Sequence, residues 1–530
     1  MTKITRYTLA LAGALVALGA TGCTDTTVEP SSTATEVNAF RDLSAYRALL
    51  AKVYAGLAVT GQQGPAGNGD IEGIDEGFSQ YLRIYWEAQE LPTDEAVIGW
   101  GDVGLPELNT GEWSSSNPFL VAMYYRVYFQ VAMANEFLRQ TTDSKLSERN
   151  VPSGLRTQIQ TFRAEARFLR ALSYWHGIDL FGAIPLVKED ALPGSPPPSQ
   201  ATRQEVYDFV VAELEDIKDD LPVASPGTYG RATQGAAHML LAKVYLNAEV
   251  YTGTPQYAAA MTETQAVLAG PYSLDPTWIR LFRTDNKNSP EVIFPIIQDG
   301  QTTRTWGGMT FLVHAGCGGA QMPGSSYGID GCWWGYRMKP EAYNRYAAGD
   351  NRTSFFWDGA ATANPQTVAV NAIGDWYSGI AAPKFSNLSS TGTPGSNATH
   401  PDTDFPMFRL ADAYLMYAEL FLRGGGGTQQ QALDYVNQLR QRAYGDNSGD
   451  ITAGQLDLQF ILDERSRELL FEGHRRQDLI RFSQFTGGTY IWAWKNGTQA
   501  GAAYPAHLNL YPLPASELVA NPNLTQNTGD

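Results

Sequence analysis

Apolar residues recurring at three- and four-residue steps limit what this chain can fold into. Across Ile159–Phe181, the residues Phe162, Ala166, Leu169, Leu172, Ser173 and His176 fall on one helical face, with Arg163, Arg167 and Arg170 lying off it. Gly182 and Pro185 stop the run. The period returns in Gly235–Ala248, through Ala236, Leu240, Leu241, Val244, Tyr245 and Ala248. It returns again after Pro406 (Leu410, Tyr414, Tyr417, Ala418, Phe421) and after the Gly424–Gly427 break (Leu433, Val436, Leu439). A further helix is expected over Phe460–Glu472, ended by Gly473, and a short one over His474–Phe482. Such faces are buried by packing helix on helix, so the expected fold class is all-α.

Short turns between these segments, with Ala164, Ala171 and Ala242 where neighbours approach, point to tetratricopeptide-like hairpins, although no clean 34-residue period is present. Between Glu291 and Phe405 the pattern breaks. Strand-like pieces (Val292–Ile297, Thr367–Ala372) alternate there with Gly, Ser, Asn and Pro, and helix is expected only around Glu341–Ala348. The body thus reads as an N-terminal helical part (39–290), a loop-rich insertion with minor β (291–405) and a C-terminal helical part (406–530).

The N-terminus speaks for export. Lys3 and Arg6 precede an uncharged apolar stretch from Tyr7 to Leu18, and small residues then lead to Cys23. That stretch is shorter than the roughly 20 residues a membrane span needs and suits a cleaved signal over 1–22. Small residues before a cysteine resemble the bacterial lipobox, in which the cysteine is acylated, although Ala20 stands where Leu is usual. Residues 23–38, rich in Thr, Ser and acid, read as a flexible tether. The formal charge is −17 and becomes −19 without Lys3 and Arg6. A surface of that sign repels phosphate backbones and argues against nucleic acid as a partner. With Cys23 acylated, Cys317 and Cys332 are left as a pair, expected to form a disulfide in an oxidising compartment.

Several motifs imitate catalysis. Glu468, Glu472, His474 and Asp478 lie close together, but Glu464 with Arg467 and Arg475 with Asp478 stand at helical-neighbour spacing, which favours a salt-bridge network. Gly324-Ser325-Ser326-Tyr327-Gly328 fits the nucleophile-elbow pattern, yet its flanks (Met322-Pro323 and Ile329-Asp330-Gly331) supply neither the strand nor the helix that chemistry needs. The six histidines show no metal-ligand spacing, and no cofactor is expected.

The aromatics carry more. Of the twelve tryptophans, Trp100, Trp113, Trp306, Trp333, Trp334, Trp357 and Trp376 lie in irregular segments, while Trp86 and Trp175 are assigned to the core. Aromatic rings can cover the C–H face of a sugar while Asp, Asn, Gln and Arg take its hydroxyls. The loop from Trp306 to Tyr336, pinned by Cys317 and Cys332, presents Tyr327, Trp333, Trp334 and Tyr336 with Gln321 and Asp330 nearby. A second loop, Asp94 to Trp113, presents Trp100 with Asp102 and Asn109. The candidate ligand-binding residues are therefore Trp100, Asp102, Asn109, Trp306, Tyr327, Trp333, Trp334 and Tyr336.

Five segments together resemble the SusD/RagB family of nutrient-binding outer-membrane lipoproteins. They are Ala164–Ala171 continuing to Leu180–Pro185; Gly230–Thr233 leading into Leu240–Leu246; Phe408–Glu419; Ile461–Arg481; and the ending, Leu510–Pro514 with Asn521–Asn527. Gln477, where an aromatic is common, and the terminal Asp530, where Tyr is common, depart from the pattern. The resemblance implies a non-catalytic protein, lipid-anchored through Cys23 at the outer membrane and exposed on the cell surface, that caps a TonB-dependent SusC-like transporter as a hinged lid. It implies a glycan ligand, or a peptide as in some relatives; a surface glycoside hydrolase or esterase is the rival from another class. In the family, ligands sit on a shallow face built from loops, including the one after a stretch like Thr93-Asp94-Glu95.

Overall fold

The computed structural model describes residues 40, 42–65, 69–192, 194–357 and 366–529. The expected signal (1–22), Cys23 and the tether (23–38) lie outside the described residues.

The N-terminal part is built from α1 (Leu43–Ala55), α2 (Tyr81–Glu90), α3 (Pro118–Gln140), α4 (Ser153–Phe181), α5 (Arg203–Ile217), α6 (Gln234–Leu246) and α7 (Tyr257–Leu268). After the insertion come α9 (Leu410–Leu422), α10 (Gln429–Tyr444), α11 (Leu458–Leu469) and α12 (Arg475–Arg481); α8 (Gly308–Ala315) lies within it. Successive helices pack as hairpins: α3 on α4, α4 on α5, α6 on α7, and α9 on α10. Contact of α7 with α9 joins the first and last parts. Local chemistry sets the ends. Asn117 caps α3 ahead of Pro118, Thr202 and Glu205 form a capping box on α5, and α4 stops at Gly182, whose φ of 75° a side chain rarely adopts. Trp86 and Trp175 are 0 % and 1 % exposed, inside the core as expected.

Strands pair antiparallel in twos: β1 (Ala96–Ile98) with β5 (Tyr336–Met338), β2 (Ile184–Pro185) with β3 (Gln200–Ala201), and β4 (Val292–Ile296) with β6 (Phe405–Arg409). The β1–β5 pair matters most for function, because it draws the two aromatic loops together. The insertion departs from expectation in three places. Thr367–Ala372 forms no strand and makes a single bridge, Thr367 to Ser378. Only Pro340–Tyr343 of the expected 341–348 helix forms, as one turn. The α8 helix appears where helix was not expected; it is buried on every side, so no amphipathic period marks it.

α11 also ends earlier than Glu472. The chain leaves the helix at Leu470, and Phe471 takes a left-handed φ of 63°. Its carbonyl accepts from Trp86 Nε1 at 2.9 Å, while the Glu90 carboxylate accepts from the N–H groups of Gly473 and His474. The N-terminal part thereby supplies the partners that the last turn of α11 would have used.

The charged residues of α11 are buried and paired, which accounts for their spacing. Arg409 donates to Glu291, Glu468 and Glu472; Arg352 donates to Asp350, Glu464 and Glu468; Lys384 donates to Glu472. Burial raises the Glu468 carboxyl, but Arg442, Arg409 and Arg352 overcome it and hold it near 2. Arg467 pairs with Glu464 as its spacing predicts. Arg475 does not pair with Asp478; it reaches across to Asp94 instead, and Asp478 binds Arg465 and Arg481.

Candidate glycan-binding face

Trp333 is the centre of the site. Its indole stacks on His314 with centroids 4.5 Å apart and planes 26° from parallel. Trp100 lies on one side at 6.3 Å and 47°, and Trp306 on the other at 6.2 Å and 49°. All three rings are half-buried, so each keeps surface for a ligand. Successive tilts of this size make a curved aromatic platform rather than a flat one.

Each ring is fixed from behind. Trp100 Nε1 donates to the Trp333 carbonyl at 3.1 Å, and its ring meets Phe311 of α8 edge-on. Trp306 leans on His400 at 5.2 Å. His314 is buried, with Nδ1 2.6 Å from the Gly331 carbonyl and Nε2 2.9 Å from that of Thr399. Burial lowers its pKa, against the two carbonyls, which favour the protonated ring. Rings held this way lose little freedom when a ligand arrives. The 317–332 disulfide is present, with Cα atoms 5.2 Å apart, and closes the loop that ends at Trp333.

Polar groups edge the platform. The Arg83 guanidinium lies over Phe311 at 4.6 Å and Trp100 at 5.7 Å and donates to Glu87 at 3.0 Å. Burial pushes the Glu87 carboxyl up to about 7 against that arginine, with Asp102 adding to the rise. Asp102, Gln321 and Asp330 are exposed, and Asp330 accepts from the Thr399 hydroxyl.

Trp334 stands apart from the arc. It is 58 % exposed with φ 54°, and its ring lies so close on Gly318 that a Cβ there would meet Cδ1 at 1.8 Å. Gly319 beside it faces Trp376 and Tyr377. Tyr327 is half-buried; its carbonyl accepts from Asn387 N–H, and burial, against Arg283, pushes its phenol up to about 12.

Two expected residues serve the scaffold instead. Asn109 is fully buried, and its amide clamps both the N–H and the carbonyl of Ile98 at 2.9 Å, bracing β1. Tyr336 is fully buried against Trp86 and Phe471 and donates to the Leu312 carbonyl. Their polar ends are engaged by backbone, so neither reaches the face. His314, His400 and Arg83 were not singled out by the sequence reading; nothing in the sequence marks a buried histidine or arginine as the support of a particular tryptophan.

Among known proteins, the SusD family model matches residues 356–529, and one described as starch-binding, associating with the outer membrane, matches residues 94–246. The chain is 34 % identical over 526 residues to starch-binding protein SusD of Bacteroides thetaiotaomicron, spanning 90 % of this chain and 91 % of that protein. A SusD-like protein of Bacteroides ovatus is 24 % identical over 401 residues, 72 % of this chain and 68 % of that one. The fold is shared with surface glycan-binding protein A of Bacteroides thetaiotaomicron, solved with laminarihexaose (TM-score 0.69, 20 % identity, 91 % of this chain and 99 % of that one). With such identity sustained along nearly its whole length, this chain belongs to the SusD family.

Proposed function

We propose that the chain captures a neutral glycan, a starch-like α-glucan first among candidates, on the arc of Trp100, Trp333 and Trp306. In this reading it is held at the outer-membrane surface by acylated Cys23, passes its ligand to a TonB-dependent SusC-like transporter, and performs no catalysis. The arc carries the proposal: three half-buried, pre-fixed indoles tilted in succession suit a curved run of sugar rings. Asp102, which acts on Glu87, and Asp330, beside His314, are exposed and offer hydrogen bonds for the hydroxyl rims. The 34 % identical relative is named for binding starch, which directs the choice of glycan.

Calorimetric titration of the mature soluble chain against maltoheptaose, laminarihexaose and a set of peptides tests the reading, with each mixture followed for breakdown products. Binding of an intact glycan that Trp333→Ala weakens about fivefold or more supports it. Binding of peptides alone, or turnover of any compound, defeats it.

A further inference from the structure

His314 sits in the last turn of α8 with a backbone carbonyl against each ring nitrogen, that of Gly331 2.6 Å from Nδ1 and that of Thr399 2.9 Å from Nε2. A neutral imidazole has one N–H and one bare nitrogen, whereas the imidazolium has two N–H groups. A carbonyl only accepts, so the neutral ring bonds one of these oxygens and turns a lone pair on the other. Only the protonated ring satisfies both. The side chain is fully buried, so bulk solvent does not relieve the mismatched contact.

The two carbonyls belong to different loops, and both loops bear on the aromatic arc. Gly331 leads through the disulfide-bonded Cys332 into Trp333, and Thr399 precedes His400, on which Trp306 leans. Asp330 joins the same loops, donating its N–H to the Ala398 carbonyl at 3.0 Å and accepting from the Thr399 hydroxyl. His314 also stacks on Trp333 and accepts that residue's N–H on its own carbonyl at 2.8 Å. One ring thus touches the centre of the arc and the supports on either side of it.

The charges around the ring pull both ways. Asp330 Oδ1 lies 3.9 Å from Nδ1 and favours the proton, as does the C-terminal end of α8. His400, 3.4 Å from Thr310 of α8, opposes it when charged, and Arg304 acts on His400 in turn. From α2, packed on α8, come Arg83 and Glu87, which pair with each other. Burial outweighs the rest and holds the ring below the ordinary histidine range, so it is neutral at pH 7 and gains its second bond on acidification. We infer that His314 is a positioning residue for Trp333 that works by taking up a proton: the imidazolium ties the Gly331 and Thr399 loops at once, and glycan binds this tied form more tightly. The inference rests on the arc being a glycan platform, and the readouts below separate the two. The tied form is populated below the ring's titration midpoint, so affinity rises as the pH falls through it, and glycan raises the midpoint by the same factor.

The mature soluble chain is titrated with maltoheptaose and laminarihexaose in steps from pH 7.5 to 4.5. Each step is run in two buffers of different ionisation enthalpy, so that calorimetry counts the protons taken up. In parallel, NMR follows the ring nitrogens of His314, picked out by cross-peaks to the Trp333 indole. The expected rise in affinity is at least about fivefold, the low end of couplings between linked sites, with an upward shift of the ring's midpoint by about 0.7 of a pH unit. His314→Gln, which cannot change charge, still binds but loses both the rise and the proton uptake. Glu87→Gln, which removes a carboxyl raised to about 7 near Trp100, and His400→Gln both keep them. Wild-type binding that is flat with pH and takes up no proton overturns the inference and leaves the arc standing. A rise that survives His314→Gln, or that either other variant removes, belongs to another group and overturns it as well. If His314→Gln does not fold, the wild-type ring decides: a midpoint raised by glycan upholds the coupling, and an unmoved one overturns it. A wild type that binds neither glycan at any pH overturns the arc reading and this inference together.

Discussion

Replacing Arg409 by Met tests whether the buried ionic cluster holds the molecule together. The guanidinium is 1 % exposed and donates five hydrogen bonds: to both oxygens of Glu472 at 2.6 and 2.8 Å, to Glu291 at 2.9 Å, to Glu468 at 2.8 Å and to the Glu468 carbonyl at 2.6 Å. Removing one partner of a buried ion pair costs about 3–5 kcal/mol, because the remaining charge is left uncompensated. Here none of the three carboxylates is stranded. Glu472 keeps Lys384, Glu468 keeps Arg352 and Arg442, and Glu291 keeps Arg442. Met is unbranched and adaptable, so it leaves little cavity to add to the cost. The expected loss is therefore near the lower end, about 3 kcal/mol. Urea unfolding at pH 7, followed by tryptophan fluorescence in 0.15 M and 1 M salt, measures it. Screening reaches buried pairs weakly, so the deficit should persist at high salt. A variant as stable as wild type, or a deficit that vanishes in 1 M salt, would refute the claim that this cation is required.

Trp333→Ala should weaken glycan binding by at least about 1 kcal/mol, as truncation of an aromatic anchor does, whereas Trp334→Ala, outside the arc, should cost less; calorimetry showing the reverse order would move the site to Trp334. Burial, with Lys243 beside it, holds His474 down at about 3, so the folded ring stays neutral where the unfolded ring takes a proton. That contribution to stability is intact above pH 6.5 and is lost as the pH falls toward 3. The stability gap between wild type and His474→Gln should therefore shift by about 2 kcal/mol in the variant's favour from pH 6.5 to 4.5, and a constant gap would show the ring to be proton-accessible. Cys317→Ser with Cys332→Ser opens a loop of sequence separation 15 and should cost about 3 kcal/mol in urea unfolding; an unchanged midpoint would show that the loop was already ordered without its link.

The helices were legible where one face is apolar and a breaker follows, as in α4 before Gly182. α8 was not, because a helix buried all round has no polar face to reveal its period. Thr367–Ala372 has β-branched residues but no partner strand, and strand formation depends on the partner. Trp100, Trp306 and Trp333 stood out as indoles in irregular segments, but their convergence depends on β1 pairing with β5, more than 200 residues on. The same pairing explains Asn109, which looked like a ligand donor and is a brace for β1.

The reach of Arg475 to Asp94 orders events in time. Asp94 is completely buried, and its cations are Arg345 and Arg475, so a growing chain holds this carboxylate unpaired for some 250 residues. Trp86 likewise waits for the carbonyl of Phe471, and Glu90 for the N–H of Gly473. Contacts between such distant partners carry a loop-closure cost that must be met before they stabilise anything, and they slow folding. The stretch from Trp86 to Asp94 is therefore expected to settle late. The last sixty residues act as a latch on the first hundred, so a nascent chain lacking them is expected to keep this corner open, the condition under which a polypeptide can still be threaded through a pore.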